Sequence, residues 1–325
     1  MAFDGAFLHQ IRREIVENAI GCKVDKVFQP SRDEIILLLR SKNFNGRLLL
    51  SASANQPRVQ FTSDTPENPL APPMFCMLLR KRLCSGKLIA VRQPGLERAV
   101  LFDFSCVNEL GDDVIYTLAV EIMGRYSNII LIHDGKVLDA VKRVDAAMTS
   151  ERLVLPGMAY ELPPAQDKRE PLTETREGFL SALAAADPEQ QADKYLTAAY
   201  LGTSVQVARE IVYRATGRTD TRLFETRPTA LADAFFAWHE RLRENRYEMT
   251  LMRAADGAPL EYCYAPLTYF GAGTTCETYP DAGALLDACF GERERLARVH
   301  NRASDLFGLI ERATARLARK TEAQE

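Results

Sequence analysis

Apolar positions along this chain recur with two periods, and the switch between them divides it. Phe3, Phe7, Leu8, Ile11, Ile15 and Ile20 fall mostly at helical spacing, and Gly21 follows as a stop. One packed helix is predicted there. Val24 to Gln29, Glu34 to Arg40 and Arg47 to Ser53 are short β-rich runs, the last two separated by Lys42 to Gly46, whose Asn45-Gly46 pair reads as a turn. Pro66, Pro69, Pro72 and Pro73 mark a loop. MFCMLLRKRLCSG then reads as a helix, with proline at its start and Gly86 beyond its end. Leu88 to Arg92, Ala99 to Val107 and Val114 to Ile122 are further strands, with Gly111 to Asp113 turning between the last two. Asn128 to Ile132 and Lys136 to Val141 flank Asp134-Gly135, which supplies the positive φ angles of a tight hairpin.

Eight strand candidates and two helices with hairpin connections predict an α+β fold built on an antiparallel sandwich or barrel. LPGMAYELPPAQDKREP (155–171) breaks the pattern and reads as a domain exit. From Thr173 the period is helical: Gly178 to Ala186, Lys194 to Leu201 and Val205 to Thr216, the last two separated only by Gly202-Thr203-Ser204. That spacing predicts a compact helix-turn-helix-like block. A helix over Ala230 to Glu244 carries Trp238, and strand-like runs at Tyr247 to Arg253 and Glu261 to Tyr264 flank Asp256-Gly257. Leu296, Val299, Ala303, Leu306, Ile310, Ala313 and Leu317 form a heptad seam that wants a partner helix or a dock on its own domain. Because the seam still runs where the sequence stops, the chain is expected to be the front part of a longer protein. The expected domains are a sandwich over 1–172, a helical block over 173–228, an α/β connecting segment over 229–290 and the start of a coiled coil over 291–325.

Composition narrows the class. At 325 residues, 46% apolar and 26% charged, the chain is globular, and no apolar run reaches the length of a membrane span. No basic-then-greasy leader opens it, so a cytoplasmic protein without membrane contact is expected. Seven cysteines without a CxxC indicate neither a disulfide framework nor a zinc ribbon, and four scattered histidines form no catalytic or metal grouping. Glycine-rich phosphate loops are absent. No catalytic residue, metal or cofactor is therefore predicted. The net charge of −3 argues against a basic coat, but six basic residues (Arg80, Lys81, Arg82, Lys87, Arg92, Arg98) face one acid, Glu97, between Cys76 and Arg98. Such a run is either a phosphate-facing patch or a solvated helix face.

EIMGRYSNIIL (121–131) enters an apolar strand through Glu121, Gly124 and Arg125, two charges and a hinge. On the residues alone this is either a salt-bridged strand end with a glycine bulge or a binding site. Three stretches then carry a resemblance: LERAVLFDF (96–104), EIMGRYSNIILIHDGKVLDAVKRV (121–144) and RLVLPGMAYELPP (152–164), together with the opening MAFDG. In this order they resemble the NFACT family, the RqcH-type ribosome-quality-control factors also filed as fibronectin-binding protein A-like. YLTAAYLGTSVQVAREI is similar to that family's helix-two-turns-helix element.

The resemblance implies a sandwich similar to that of the formamidopyrimidine-DNA glycosylases, then the helix-two-turns-helix block, a coiled coil and a further domain. It also implies a binder, not an enzyme. Such factors bind large ribosomal subunits obstructed by peptidyl-tRNA and recruit tRNA, in bacteria alanyl-tRNA, for an untemplated C-terminal alanine tail that the ribosome itself synthesises. The family's acidic-arginine pair falls on Glu97 and Arg98, and its strand motif on Glu121, Ile122, Met123, Gly124 and Arg125. The usual pair is Asp-Arg; Glu97 keeps the charge and moves the carboxylate by ~1.5 Å. An arginine fork can grip a phosphate or a base edge, a neighbouring carboxylate can orient that fork, and unpaired anticodon bases offer free edges. Gly95 is read as the turn glycine that presents Glu97 and Arg98, with Arg80, Lys81 and Arg82 adding sequence-blind phosphate attraction.

Two other readings compete. A DNA-glycosylase-like enzyme would need an N-terminal proline amine beside an acid, whereas this chain opens Met-Ala-Phe-Asp. A cell-surface adhesin that binds fibronectin would need an export signal or an anchor, and the sequence carries no pattern for either.

Overall fold

The computed structural model describes residues 3–147, 152–291 and 314, so the heptad seam expected from Leu296 to Leu317 lies outside the described residues. Helix α1 (Gly5–Ala19) starts where the Asp4 carboxylate accepts the Phe7 N–H at 2.7 Å, and it buries Phe7, Leu8, Ile11 and Ile15. Strands β1 (Lys23–Ser31), β2 (Glu34–Arg40), β3 (Asn45–Ser51) and β4 (Arg58–Thr62) follow as a meander. After helix α2 (Met74–Leu83) come β5 (Lys87–Arg92), β6 (Ala99–Val107), β7 (Asp113–Glu121), β8 (Asn128–His133) and β9 (Lys136–Ala140). All nine form one antiparallel sheet in the order β4-β3-β2-β1-β5-β6-β7-β8-β9. Its two halves join at the short β1–β5 pairing, Lys23 opposite Lys87. The sheet curls until β3 meets β8, and Lys142 Nζ donates to the Ala52 carbonyl across the gap at 2.6 Å.

Two local expectations need correction. Asn45 and Gly46 do not turn; they pair with Arg40 and Leu39 inside the ladder. The reversal sits earlier, where Ser41 Oγ accepts the N–H groups of Asn43 and Phe44 and Phe44 packs edge-on against Phe61. Strand β4 was hidden because its Arg58, Gln60 and Thr62 face is polar yet buried. That face meets helical residues 282–291, where the Asp287 carboxylate accepts from Gln60 Nε2 at 2.6 Å and from Thr62 Oγ1 at 2.7 Å.

Helices α3 (Arg176–Ala185), α4 (Ala192–Ala199), α5 (Val205–Thr216) and α6 (Pro228–Arg243) follow the exit loop. A three-stranded sheet β11-β10-β12 completes the described chain, from β10 (Met249–Arg253), β11 (Pro259–Cys263) and β12 (Thr275–Tyr279). α6 packs on α3, α5 and α1, and Trp238 on α6 is fully buried with its indole N–H donating to the Tyr264 hydroxyl at 2.7 Å. One hydrophobic core therefore runs from α1 and the large sheet through the helical block into β10 and β11. A second, smaller core lies on the other face of the sheet, where Leu101, Ala119, Ile130 and Val137 are covered by Val154 and Tyr160 of a strap formed by residues 152–160.

The main core also holds an acid. Glu14 on α1 is buried and accepts the Ala282 N–H at 3.2 Å. Burial pushes its carboxyl from 4.5 up to about 7, with Asp281 and Glu17 adding to the rise and the Ala282 bond opposing it. The folded chain then prefers the protonated acid, so this residue removes stability as pH climbs from about 4.5 to 7. Glu14→Gln, whose amide oxygen can accept the same bond, flattens that decline relative to the parent chain. Urea unfolding at pH 5 and pH 8 measures the difference.

Candidate nucleic-acid interface

The two charged segments singled out in the sequence meet at one end of the large sheet. Ala99 at the start of β6 pairs with Glu121 at the end of β7, and just beyond the ladder the Ile122 N–H donates to the Arg98 carbonyl at 2.8 Å. Their convergence follows from the hairpin register.

The turn before β6 is held from three sides. Gln93 Nε2 donates to the carbonyls of Gly5 and Glu97, both at 2.9 Å, and the Leu96 N–H donates to Glu170 Oε2 at 3.0 Å. Gly95 has φ +51°, a conformation that favours glycine. Leu96 is only 1% exposed and plugs the turn against Gly5 and Gly202. What remains outside is Arg98, whose guanidinium has no hydrogen-bond or ion-pair partner among the described residues. Glu97 is half-buried and accepts from Gln166 Nε2 at 3.2 Å.

Residues 121–127 separate into an inner and an outer set. Ile122 is 1% exposed and belongs to the main core. The Met123 N–H donates to Ser127 Oγ at 2.7 Å, and Gly124, at φ +56°, opens a single 3₁₀ turn to Tyr126. Arg125 is exposed and its guanidinium lies 4.7 Å from the centroid of the exposed Tyr126 ring, a planar pair of the kind that stacks on bases. Glu121 faces the other way. It is 2% exposed and held by Arg152 Nη1 and Nη2 at 2.9 and 2.7 Å, so its carboxylate lies inside the fold and not on the exposed turn where the sequence reading put it. Its place in the β-strand alternation sends it into the second core.

A groove of about 850 Å³ opens beside this turn. Arg98 and Gly124 of the sheet end line it together with Lys168 of the exit loop, Thr197 near the end of α4 and Ser204 at the start of α5. Lys168 likewise has no ion-pair partner among the described residues. The sequence pointed to the cations on the sheet but not to Lys168, which sits in a stretch that reads only as a break in pattern.

Arg80, Lys81 and Arg82 are elsewhere. Arg80 Nε donates to the Val27 carbonyl, Arg82 reaches the Tyr116 hydroxyl, and Lys81 pairs with Glu109 at 2.6 Å. Tyr116 lies opposite Phe104, five residues along β6 from Ala99, or ~17 Å at strand rise. The fold does not bring α2 to the groove, and two of its three cations are spent on internal contacts. Among the described residues no group of three or more His, Cys, Asp or Glu could hold a metal ion, and no helix is long and apolar enough to cross a membrane.

Comparison with known proteins adds a family. The family model described as NFACT N-terminal and middle domains matches residues 4–325. A protein named Rqc2 homolog RqcH from Bacillus subtilis (strain 168) is 37% identical over 310 residues, covering 94% of this chain and 52% of that protein. The N-terminal structure of the fibronectin/fibrinogen-binding protein from Streptococcus suis superimposes with a TM-score of 0.74 at 29% identity, covering 90% of this chain and 100% of that one. The fibrinogen-binding protein structure from Staphylococcus aureus gives a TM-score of 0.75 at 28% identity, covering 89% and 99%. The chain spans about half the length of the curated relatives it matches.

Proposed function

This chain belongs to the NFACT family, and from that premise we propose that it is the tRNA-binding front part of a ribosome-associated quality-control factor. In this reading it acts in the cytoplasm as a binder and positioner, bringing alanyl-tRNA to large ribosomal subunits obstructed by peptidyl-tRNA. The peptide bonds of the alanine tail are made by the ribosome. The curled sheet would correspond to the glycosylase-like sandwich, α3 to α5 to the helix-two-turns-helix block, and residues 291–325 to the start of the coiled coil.

The observation that carries the reading is Arg98: an uncompensated, exposed guanidinium on a rigid turn at the rim of a groove. A cation without a protein partner, fixed by a buried leucine and three hydrogen bonds to its turn, has been given its geometry for something outside the chain. Arg125 with Tyr126 offers a second fork and a stacking face, Lys168 a point charge in the same groove, and Glu97, half-buried beside Gln166, orients the turn.

Arg98→Ala is expected to remove a charge-assisted contact worth about 1.5–3 kcal/mol, or roughly 10- to 100-fold in tRNA affinity. The slope of affinity against salt should fall by about one phosphate contact. The melting curve stays where it was, because the side chain touches nothing inside. Fluorescence anisotropy with labelled tRNA at two salt concentrations, alongside thermal unfolding, measures both. Unchanged affinity with lost stability would refute the assignment. A fibronectin adhesin would instead bind immobilised fibronectin and be indifferent to Arg98→Ala.

A further inference from the structure

Glu121 is buried, yet it stands at the junction of the two segments that carry Arg98 and Arg125. Both its oxygens are occupied: the Arg152 fork donates to each, and the Tyr160 hydroxyl donates to Oε1 at 3.0 Å. The Arg152 guanidinium also lies over the Tyr160 ring, 5.2 Å from its centroid. Both partners come from the strap, which is tied to β9 by main-chain bonds exchanged between Val137 and residues 157 and 158, and to the segments flanking it by bonds between Val154 and Val144 and from the Tyr160 N–H to the Gly135 carbonyl. One residue past Glu121 is the Ile122 bond to Arg98; two residues past it is the Met123 bond that starts the turn ending at Tyr126. Glu121 is thus the last fixed point before the backbone leaves the ladder.

We propose that Arg152 and Tyr160 are positioning residues of the RNA-binding surface, clamping Glu121 so that the backbone at 121–123 holds the Arg98 turn and the Arg125 turn in one fixed relation. The inference rests on the proposed tRNA-binding role of that surface. Its physical basis is the cost of an unpaired buried charge. Without its fork, the Glu121 carboxylate reaches water by peeling residues 121–123 from the sheet, and the bond between Ile122 and Arg98 goes with them. Glu121 then contributes to binding without touching the ligand, and its importance and that of the strap are one interaction.

The test separates position from contact. Arg152→Met leaves the carboxylate buried and unpaired; E121M/R152M/Y160F replaces the whole polar cluster with apolar groups of similar volume, a change buried ion pairs commonly tolerate. tRNA affinity is read by anisotropy, and backbone opening by amide hydrogen exchange with mass spectrometry. Arg152→Met should weaken tRNA binding by about 10-fold or more and speed exchange over residues 121–127 while β1 and β2 stay protected. The triple variant should return both to within about 2-fold of the parent. A triple variant that is protected over 121–127 but still fails to bind would show that the carboxylate itself meets the RNA, and would overturn the proposal. So would a single variant whose exchange rises evenly across the sheet. If the parent chain binds no tRNA, the functional reading falls, and the exchange pattern over 121–127 still decides whether the strap holds this backbone.

Discussion

Arg152→Ala should cost the folded chain about 3–5 kcal/mol, because it strands the Glu121 carboxylate where water does not reach. The geometry alone does not predict this. Arg92 and Asp103 form a pair just as well made, with Arg92 donating to both carboxylate oxygens at 2.7 and 2.9 Å, yet the Arg92 side chain is 56% exposed, and Asp103, at 13%, keeps the Thr117 hydroxyl bond at 2.7 Å, so the loss should be smaller, about 1 kcal/mol. The Arg152 side chain is 14% exposed and Glu121 2%. The difference between the two losses is the desolvation of one carboxylate, so Arg92→Ala is the control. Urea midpoints of the two variants, at equal m-value, read the comparison. Equal losses would mean that water enters beneath the strap and that Glu121 is free to rotate outward. Tyr160→Phe should fall between them at about 1 kcal/mol, since it removes one of three donors and leaves the charge paired.

Much of the fold could be read from local pattern, and the site divided along the same line. The Asp134-Gly135 hairpin was readable because both residues take positive φ in the observed turn, 49° and 70°, and few residue pairs do so cheaply. Arg98 and Arg125 were readable as outward-facing charges on converging strand ends, since β6 and β7 are joined by a short turn whose register follows from Gly111. The burial of Glu121 was not readable, for an equally physical reason. Along β7, Ile115, Thr117, Ala119 and Glu121 share one face, which is exposed at Ile115 and buried from Ala119 onward. Period-two alternation shows that such a face exists. Only the strap, 31 residues away in sequence at Arg152, makes it a second core. Strand β4 failed in the same way: its polar face is buried against residues more than 220 positions later, as in the bond from Gln60 to Asp287. The distance of the three α2 cations from the groove was not readable, because helical spacing gives their clustering but not where the helix sits.

The second large effect is expected at Gly5, in the opening MAFDG, where a single methyl group should damage both stability and RNA binding. A Cβ built on Gly5 would lie 1.7 Å from the Leu96 carbonyl oxygen, roughly half a normal contact distance, and 3.1 Å from the Gly202 Cα. Three backbones therefore touch at the rim of the groove: the start of α1, the turn carrying Glu97 and Arg98, and the loop into α5. Because the obstruction is main chain, no rotamer relieves it, and either α1 or the Arg98 turn must move. Gly5→Ala should cost about 3 kcal/mol or more and weaken tRNA binding at least as much as Arg98→Ala. Gly273→Ala, with nothing within 4 Å and no positive φ, should change stability by less than about 0.5 kcal/mol. Gly202→Ala gives the sharper comparison. Its Cβ would meet the Leu96 Cβ at 2.6 Å, so removing that side chain whole with Leu96→Gly should recover part of the loss, leaving the strain of φ +64° and the Ala6 nitrogen at 3.1 Å. The same trim beside Gly5→Ala should recover nothing and add its own cavity. Urea unfolding of the two double variants, with anisotropy on each, distinguishes them. Recovery in the Gly5 background would mean that the Arg98 turn is held by the leucine plug alone, and not by direct backbone packing against the first helix.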